Sequence, residues 1–239
     1  TYESTDPTTQ RQNLEAAAKA GAKIVVAIGF EFNDMLPDVA KAYPDVKFLV
    51  VDSCPFDKLL GNIYCSVFRE YEASFLAGAE AALTTKTGKV GAISALDIPF
   101  LHRYTDGFIE GAKHVKPDVT VSPTLWVGGN NAFSDPARGQ QRAAAMVADN
   151  VDRVLAAGAG SNGGIFKAME DLPGANAFGV DVNQCLQAPG IVMDNVEKKT
   201  NVAVELAGKG ISAGTQQQIT ALGLREGGMA LTGLGDDVK

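Results

Sequence analysis

Few residues in this chain have the type and spacing for chemistry. Gly158-Ala159-Gly160-Ser161-Asn162-Gly163 spells G-x-G-x-x-G, follows an apolar run and opens a helical stretch, and Asp181 closes the next apolar run. In a dinucleotide-dependent enzyme such a loop lays backbone N–H groups on a pyrophosphate and the later acid on a ribose. Here the match falls late in the chain, away from the first strand–turn–helix. A glycine-rich loop before a helix also serves other polar ligands, or simply turns. Ser161 sits in a nucleophile-like setting, yet the hydrolase order needs a His after the Ser, and none occurs after His114. Asp52, Asp97 and Asp181 each end an apolar run. Such acids either pair as acid and base or cap the next helix or turn, and Asp97, just before Ile98-Pro99, is expected to cap its helix. Phe133, in Gly-Asn-Asn-Ala-Phe-Ser-Asp-Pro, either staples a helix start or offers a stacking face to a planar base. Trp126 is expected in the core, and His102 and Arg103 on a solvated helix face.

Cys54, Cys65 and Cys185, with His102 and His114, give no metal-ligand spacing. Cys54 and Cys65 are either separate buried thiols or, in an oxidising compartment, a bridge. No catalytic set, no metal site and no cofactor is therefore expected.

These residues need a frame that gathers strand ends. Short β-branched runs at 23–28, 47–51, 89–94, 119–126, 153–157 and 177–180 alternate with helical stretches at 8–20, 33–42, 70–85, 98–115, 135–150, 164–172 and 200–213. Asp6-Pro7 and Asp135-Pro136 supply start signals, and Gly21 and Gly88 stop signals. Strand–helix–strand repetition predicts an α/β fold with parallel sheets, whose ligands bind at the carboxyl ends of the strands. The polar stretch Thr84–Gly88 is the expected hinge between two lobes.

Composition agrees. The 239 residues are 46% hydrophobic and 21% charged, with net charge −7, which excludes a disordered chain, a coiled coil and a collagen. No apolar run is long enough to span a bilayer. There is no basic stripe, so nucleic acid is not an expected partner. Thr1-Tyr2-Glu3-Ser4 is not an initiator, a signal peptide or a lipidation box.

The strings FREYEASFLAG, TKTGKVGAIS, DIPFLHRYTDGFIEGAKHVKPDV, FSDPARG, GVDVNQCLQAPG and VEKKTNVAVE, in this order from about Asp6 to Gly228, resemble the basic membrane protein family. These are substrate-binding lipoproteins of bacterial ABC importers. The resemblance implies a type I periplasmic-binding-protein fold: two doubly wound parallel-sheet lobes, 1–87 with 182–212 and 88–181 with 213–239, closing on a ligand cleft. It implies a purine nucleoside as ligand, ABC transporter membrane subunits as partners, and a periplasmic or lipid-anchored location. Asp52 then looks like the acid facing the base, Phe133 like a stacking aromatic, and Gly158 like the loop residue whose backbone meets the ribose. Asp181 and Lys198 look like the pair on the ribose hydroxyls, since a carboxylate accepts from vicinal hydroxyls while a lysine donates and balances charge. The family's first strand has no counterpart in this sequence, and Tyr2-Glu3-Ser4 matches the second, so the first lobe is expected to be incomplete. The rival readings are a sugar or nucleobase receptor on the same fold and, in a different class, a dinucleotide-dependent enzyme using Gly158–Gly163.

Overall fold

The computed structural model describes residues 2–4 and 6–233; the expectations that fall on Thr1 and on 234–239 lie outside the described residues. In chain order the elements are α1 (Pro7–Lys19), β1 (Ile24–Ile28), α2 (Leu36–Ala42), β2 (Lys47–Val51), β3 (Ile63–Phe68), α3 (Glu70–Thr84), β4 (Lys89–Ser94) and α4 (Pro99–Val115). They continue with β5 (Thr120–Val121), β6 (Leu125–Trp126), α5 (Pro136–Ala148), β7 (Arg153–Ala157), α6 (Asn162–Met169), β8 (Asn176–Asp181), β9 (Val192–Lys198), α7 (Thr200–Ala213), β10 (Ile219–Leu222) and β11 (Met229–Gly233). The chain falls into two compact units, Thr1–Phe68 with Lys199–Gly228 and Arg69–Lys198 with Met229–Lys239.

The first unit holds a parallel sheet in the order β1-β2-β3-β10. Its start obeys the sequence signals. Asp6 accepts from the backbone N–H of Thr8 at 2.8 Å and of Thr9 at 3.0 Å, and Pro7 opens α1. Leu14, Leu36, Phe48, Val50 and Ile63 form the core. Cys54, in the loop after β2, is disulfide-bonded to Cys65 in the middle of β3. The bridge thus ties the loop that carries the strand-end acid to the next strand of the sheet. β1 forms an edge of this sheet. Its Val25 and Ala27 are buried, whereas Val26 and Ile28 are 41% and 55% exposed. They line a groove of about 650 Å³ together with Tyr2, Ser4, Leu14 and Phe32.

The second unit holds a larger sheet in the order β11-β9-β8-β7-β4-β5, with β6 also on β4. Among the described residues every pairing in it is parallel except that of β11 with β9, which is antiparallel. Helices α3 and α4 pack together at unusually close range because glycines face backbone across the contact. A Cβ on Gly111 would lie 1.9 Å from the Phe75 carbonyl oxygen, and one on Gly78 would lie 1.8 Å from that of Phe108. No side chain larger than hydrogen fits at either position without parting the helices. Phe108 and Phe178 meet edge to face beneath this contact, with centroids 5.7 Å apart.

Several expectations need correction. The single strand at 119–126 is two short strands, β5 and β6, separated by Ser122-Pro123-Thr124. Proline has no N–H for a ladder and breaks the run. The strands β3, β9, β10 and β11 escaped the periodicity reading; β9 and β11 mix apolar residues with Asp194, Asn195, Glu197 and Thr232. Thr84–Gly88 lies within the second unit. Asp152, itself buried, accepts from the Lys86 N–H at 2.7 Å and from the hydroxyls of Thr85 and Thr87. Arg153 holds the Thr84 carbonyl at 2.7 Å and its hydroxyl at 3.0 Å. The stretch is thereby fixed inside the second unit. The chain passes between the two compact units at 68/69, 198/199 and 228/229. Helix α3 packs with α4 inside the second unit.

Candidate functional site

Asp181 is the last residue of β8, in a left-handed backbone conformation with φ +68°. This region is uncommon for any residue but glycine, and Asp tolerates it better than most. The turn leaves its side chain 44% exposed at the carboxyl end of the sheet. Lys198 ends the neighbouring strand β9 and reaches Asp181 from a buried position, its side chain 4% exposed. Lys198 Nζ lies 3.3 Å from Asp181 Oδ1. Tyr104, buried on α4, donates its hydroxyl to the same oxygen at 2.6 Å. Two donors therefore fix Oδ1, while Oδ2 makes no hydrogen bond among the described residues.

Behind the lysine stands a second acid. Glu70 opens α3 with no exposed surface, its Oε1 3.9 Å from Lys198 Nζ and its Oε2 3.4 Å from Arg103 Nη1. The Lys198 ammonium also faces the rings of Phe100, at 4.8 Å, and Tyr104, at 5.4 Å. Phe100 and Tyr104, one helical turn apart on α4, meet edge to face at 6.1 Å. The result is an alternating ladder, Arg103–Glu70–Lys198–Asp181, with an aromatic wall along its cation. It is buried at the glutamate and open at the aspartate. Chemically it presents a preformed, charge-balanced acceptor suited to hydroxyl donors.

Phe133 and Gly158 belong to two loops of the same unit that touch. A Cβ on Gly160 would lie 3.0 Å from the Phe133 carbonyl oxygen, and the Ser161 hydroxyl donates to the Ala132 carbonyl at 2.8 Å. Phe133 is half-buried. The Gly158 N–H donates to Asn162 Oδ1 at 2.7 Å and its carbonyl accepts from the Ser161 N–H at 3.0 Å. What Gly158 retains for a ligand is the second lone pair of that carbonyl. Ser161 is fully buried, and its hydroxyl oxygen also accepts from the Asp135 N–H. It locks two loops together and is not placed as a nucleophile. Asp52 is the strand-end acid of the first unit, directly after β2, with φ +69°.

Other sequence expectations shift. Asp97 does not cap α4. The cap position is Ile98, and Asp97 Oδ1 instead bonds His102 Nε2 at 2.8 Å. Asp106 holds the other ring nitrogen at 3.2 Å, and these two carboxylates raise the His102 pKa above its ordinary value. Trp126 is half-buried against the His102 ring, centroids 5.2 Å apart, and not in the core. Arg103 is not simply solvated, since it reaches Glu70. At the far end of α3, burial and the hydrogen bond to Asp194 push the Glu80 carboxyl up to about 8. Glu70, Phe100, Arg103 and Tyr104 escaped the sequence reading as site residues. The available signal was a Phe and a Tyr four apart on an amphipathic helix, and an acid at the head of a helix that succeeds a strand. Neither says that the acid is buried.

Two parallel-sheet units, with an acid at the carboxyl end of a strand in each, form the architecture that solved ABC transporter solute-binding proteins share. Comparison with known proteins agrees. A family model described as ABC transporter substrate-binding protein, PnrA-like, matches residues 3–238, and the chain belongs to that family. The family is one of solute-binding proteins and not of enzymes, which removes the dinucleotide-dependent reading. The chain is 31% identical over 196 residues to basic membrane protein A of Borreliella burgdorferi, covering 81% of this chain and 57% of that protein. It is 32% identical over 171 residues to the ABC transporter nucleoside-binding protein BmpA of Lactococcus lactis, covering 72% of this chain and 47% of that protein. It thus spans about half the length of these relatives. The solved ABC transporter solute-binding protein of Aeropyrum pernix K1 superposes with a TM-score of 0.81 at 28% identity, over 96% of this chain and 65% of that one. The periplasmic-binding fold expected from sequence is therefore the fold of the chain. No helix among the described residues is long and apolar enough to cross a membrane.

Proposed function

We propose that this chain is the nucleoside-recognising part of an extracytoplasmic receptor, which takes a purine nucleoside and delivers it to the membrane subunits of an ABC importer. The observation that carries the reading is the Asp181 carboxylate. Its Oδ1 accepts from Tyr104 and pairs with Lys198, while Oδ2 makes no hydrogen bond among the described residues. A fixed carboxylate with one open oxygen and a lysine beside it is suited to the vicinal hydroxyls of a ribose. The name of the Lactococcus lactis relative, a nucleoside-binding protein, supports the same ligand class. In this reading Phe133 stacks on the base, Gly158 offers its carbonyl, and Asp52 is the acid that reads the base edge. The two units are the two lobes, and the open edge of β1 is where one further parallel strand would complete the first. The receptor works in the periplasm or tethered at the outer face of the inner membrane.

The test is calorimetric titration with purine nucleosides, the free bases and ribose. Base stacking on an aromatic is worth about 1–3 kcal/mol. Phe133→Ala should therefore weaken a purine nucleoside by roughly 5- to 150-fold, Phe133→Trp should largely preserve binding, and ribose should bind poorly throughout. If ribose or another free sugar binds the wild type more tightly than every purine nucleoside, the ligand is a sugar and the nucleoside reading fails.

A further inference from the structure

Asp181 and Lys198 face a ligand in the reading above, but a lysine with 4% of its side chain exposed cannot hold its position or its charge unaided. Moving an ammonium out of water is costly unless an anion meets it. The partner that ligand chemistry would also engage, Asp181, is shared with solvent. Glu70 is not: it is wholly buried, at the first position of α3, between Lys198 Nζ at 3.9 Å and Arg103 Nη1 at 3.4 Å. Two cations and two acids make up the ladder, so the four groups sum to zero only when Glu70 is ionised.

We propose that Glu70 is a positioning residue for the site, the buried counter-ion that keeps Lys198 charged and aimed at Asp181 before any ligand arrives. The proposal rests on the nucleoside reading for its consequence in binding, though not for its electrostatics. Glu70 touches no ligand. It acts through Lys198, whose ammonium is boxed by Glu70, Asp181 and the faces of Phe100 and Tyr104. Without Glu70, the lysine has Asp181 as its acid among these four groups, and a ligand drawing on Asp181 Oδ2 competes with it. Arg103, whose side chain is 40% exposed, balances Glu70 from the other side. It keeps the glutamate from pulling the lysine away from Asp181.

The experiment has two readouts on the same proteins. The first tracks the Lys198 Cε resonance by NMR across pH in the ligand-free protein. Glu70→Gln, which keeps the shape and removes the charge, should lower the titration midpoint of Lys198 by at least about one unit. Arg103→Gln, at a partly exposed position, should raise it. The second readout is affinity. Glu70→Gln should weaken a ribonucleoside by about ten- to a hundredfold at pH 7, and further as pH rises to 9, while a free base is bound as by wild type. Glu70→Asp should restore part of the loss. If neither variant moves the lysine midpoint, Glu70 does not hold Lys198 and the proposal falls, whatever the ligand. If the midpoint moves but ribonucleoside affinity does not, Glu70 sets a charge that the site does not use, and its positioning role is wrong. Should the wild type bind no nucleoside at all, the nucleoside reading fails and the lysine titration still decides for or against Glu70.

Discussion

Asp52 and Asp181 hold matching places in the two units. One directly succeeds a parallel strand and the other ends one, and each adopts the left-handed backbone, at φ +69° and +68°. Non-glycine residues persist there only when their surroundings hold them, and such positions gather at functional sites. The two units hold them by different means. In the first, Asp52 is two residues from Cys54, whose disulfide to Cys65 pins the loop to β3. In the second, no disulfide is found among the described residues. Asp181 is instead gripped by Tyr104 and Lys198, and those by α3, α4 and β9. The first unit carries a four-stranded sheet with an open edge at β1 and the second a seven-stranded one, and small cores are the ones that gain most from a covalent staple. The lesson is that the same strand-end device needs outside support wherever the local core is thin.

Reducing the disulfide should break this symmetry most visibly. Closing a loop of this length is worth about 2–3 kcal/mol in chain entropy. Hydrogen exchange of amides in β2 and β3 should therefore accelerate on reduction, while those in α3 and α4 stay as protected as before. Equal acceleration in both units would mean that the staple supports the whole chain and that the two units do not differ in this way.

A smaller effect sharpens the second unit. The Glu80 carboxyl, pushed up to about 8, keeps in the folded state a proton that the unfolded chain gives up near the ordinary value of 4.5. A raised carboxyl therefore contributes fully at low pH, and stability declines as pH rises from about 4.5 through about 8. Solvent screening on this half-buried side chain keeps the effect below that of the disulfide. Melting temperature measured between about pH 5 and 8.5 should fall in the wild type and fall less in Glu80→Gln. Identical slopes would show that Glu80 does not share its proton with Asp194 in the folded state.

The frame of both units was legible because parallel strands buried on both faces leave apolar runs, and because Asp6-Pro7 and Asp135-Pro136 mark helix starts by local chemistry alone. Strands β9 and β11 were not legible. Their polar residues, such as Asp194, Asn195 and Thr232, satisfy one another through partners far apart in sequence: Asn195 Nδ2 donates to the Thr232 carbonyl at 3.1 Å. The same holds for the site. Asp181 was legible as a strand-end acid, and Lys198 from the family strings. Glu70 and Tyr104 were not, because burial of an acid and the direction of a tyrosine depend on how α3 and α4 close through Gly78, Gly107 and Gly111. Asp97 misled for a related reason: a histidine one turn away competed for it, and a cap lost.

The central claim is that Asp181 accepts from ribose hydroxyls, and one titration addresses it directly. A charge-assisted hydrogen bond of this kind is worth about 1.5–3 kcal/mol. Calorimetry of a purine ribonucleoside and its 2′,3′-dideoxy analogue should show Asp181→Ala weakening the ribonucleoside by roughly 10- to 150-fold. The dideoxy analogue, which has no vicinal hydroxyls to offer, should bind wild type and variant alike. Wild-type affinity of Asp181→Ala for the ribonucleoside would take Asp181 out of the site and contradict the claim.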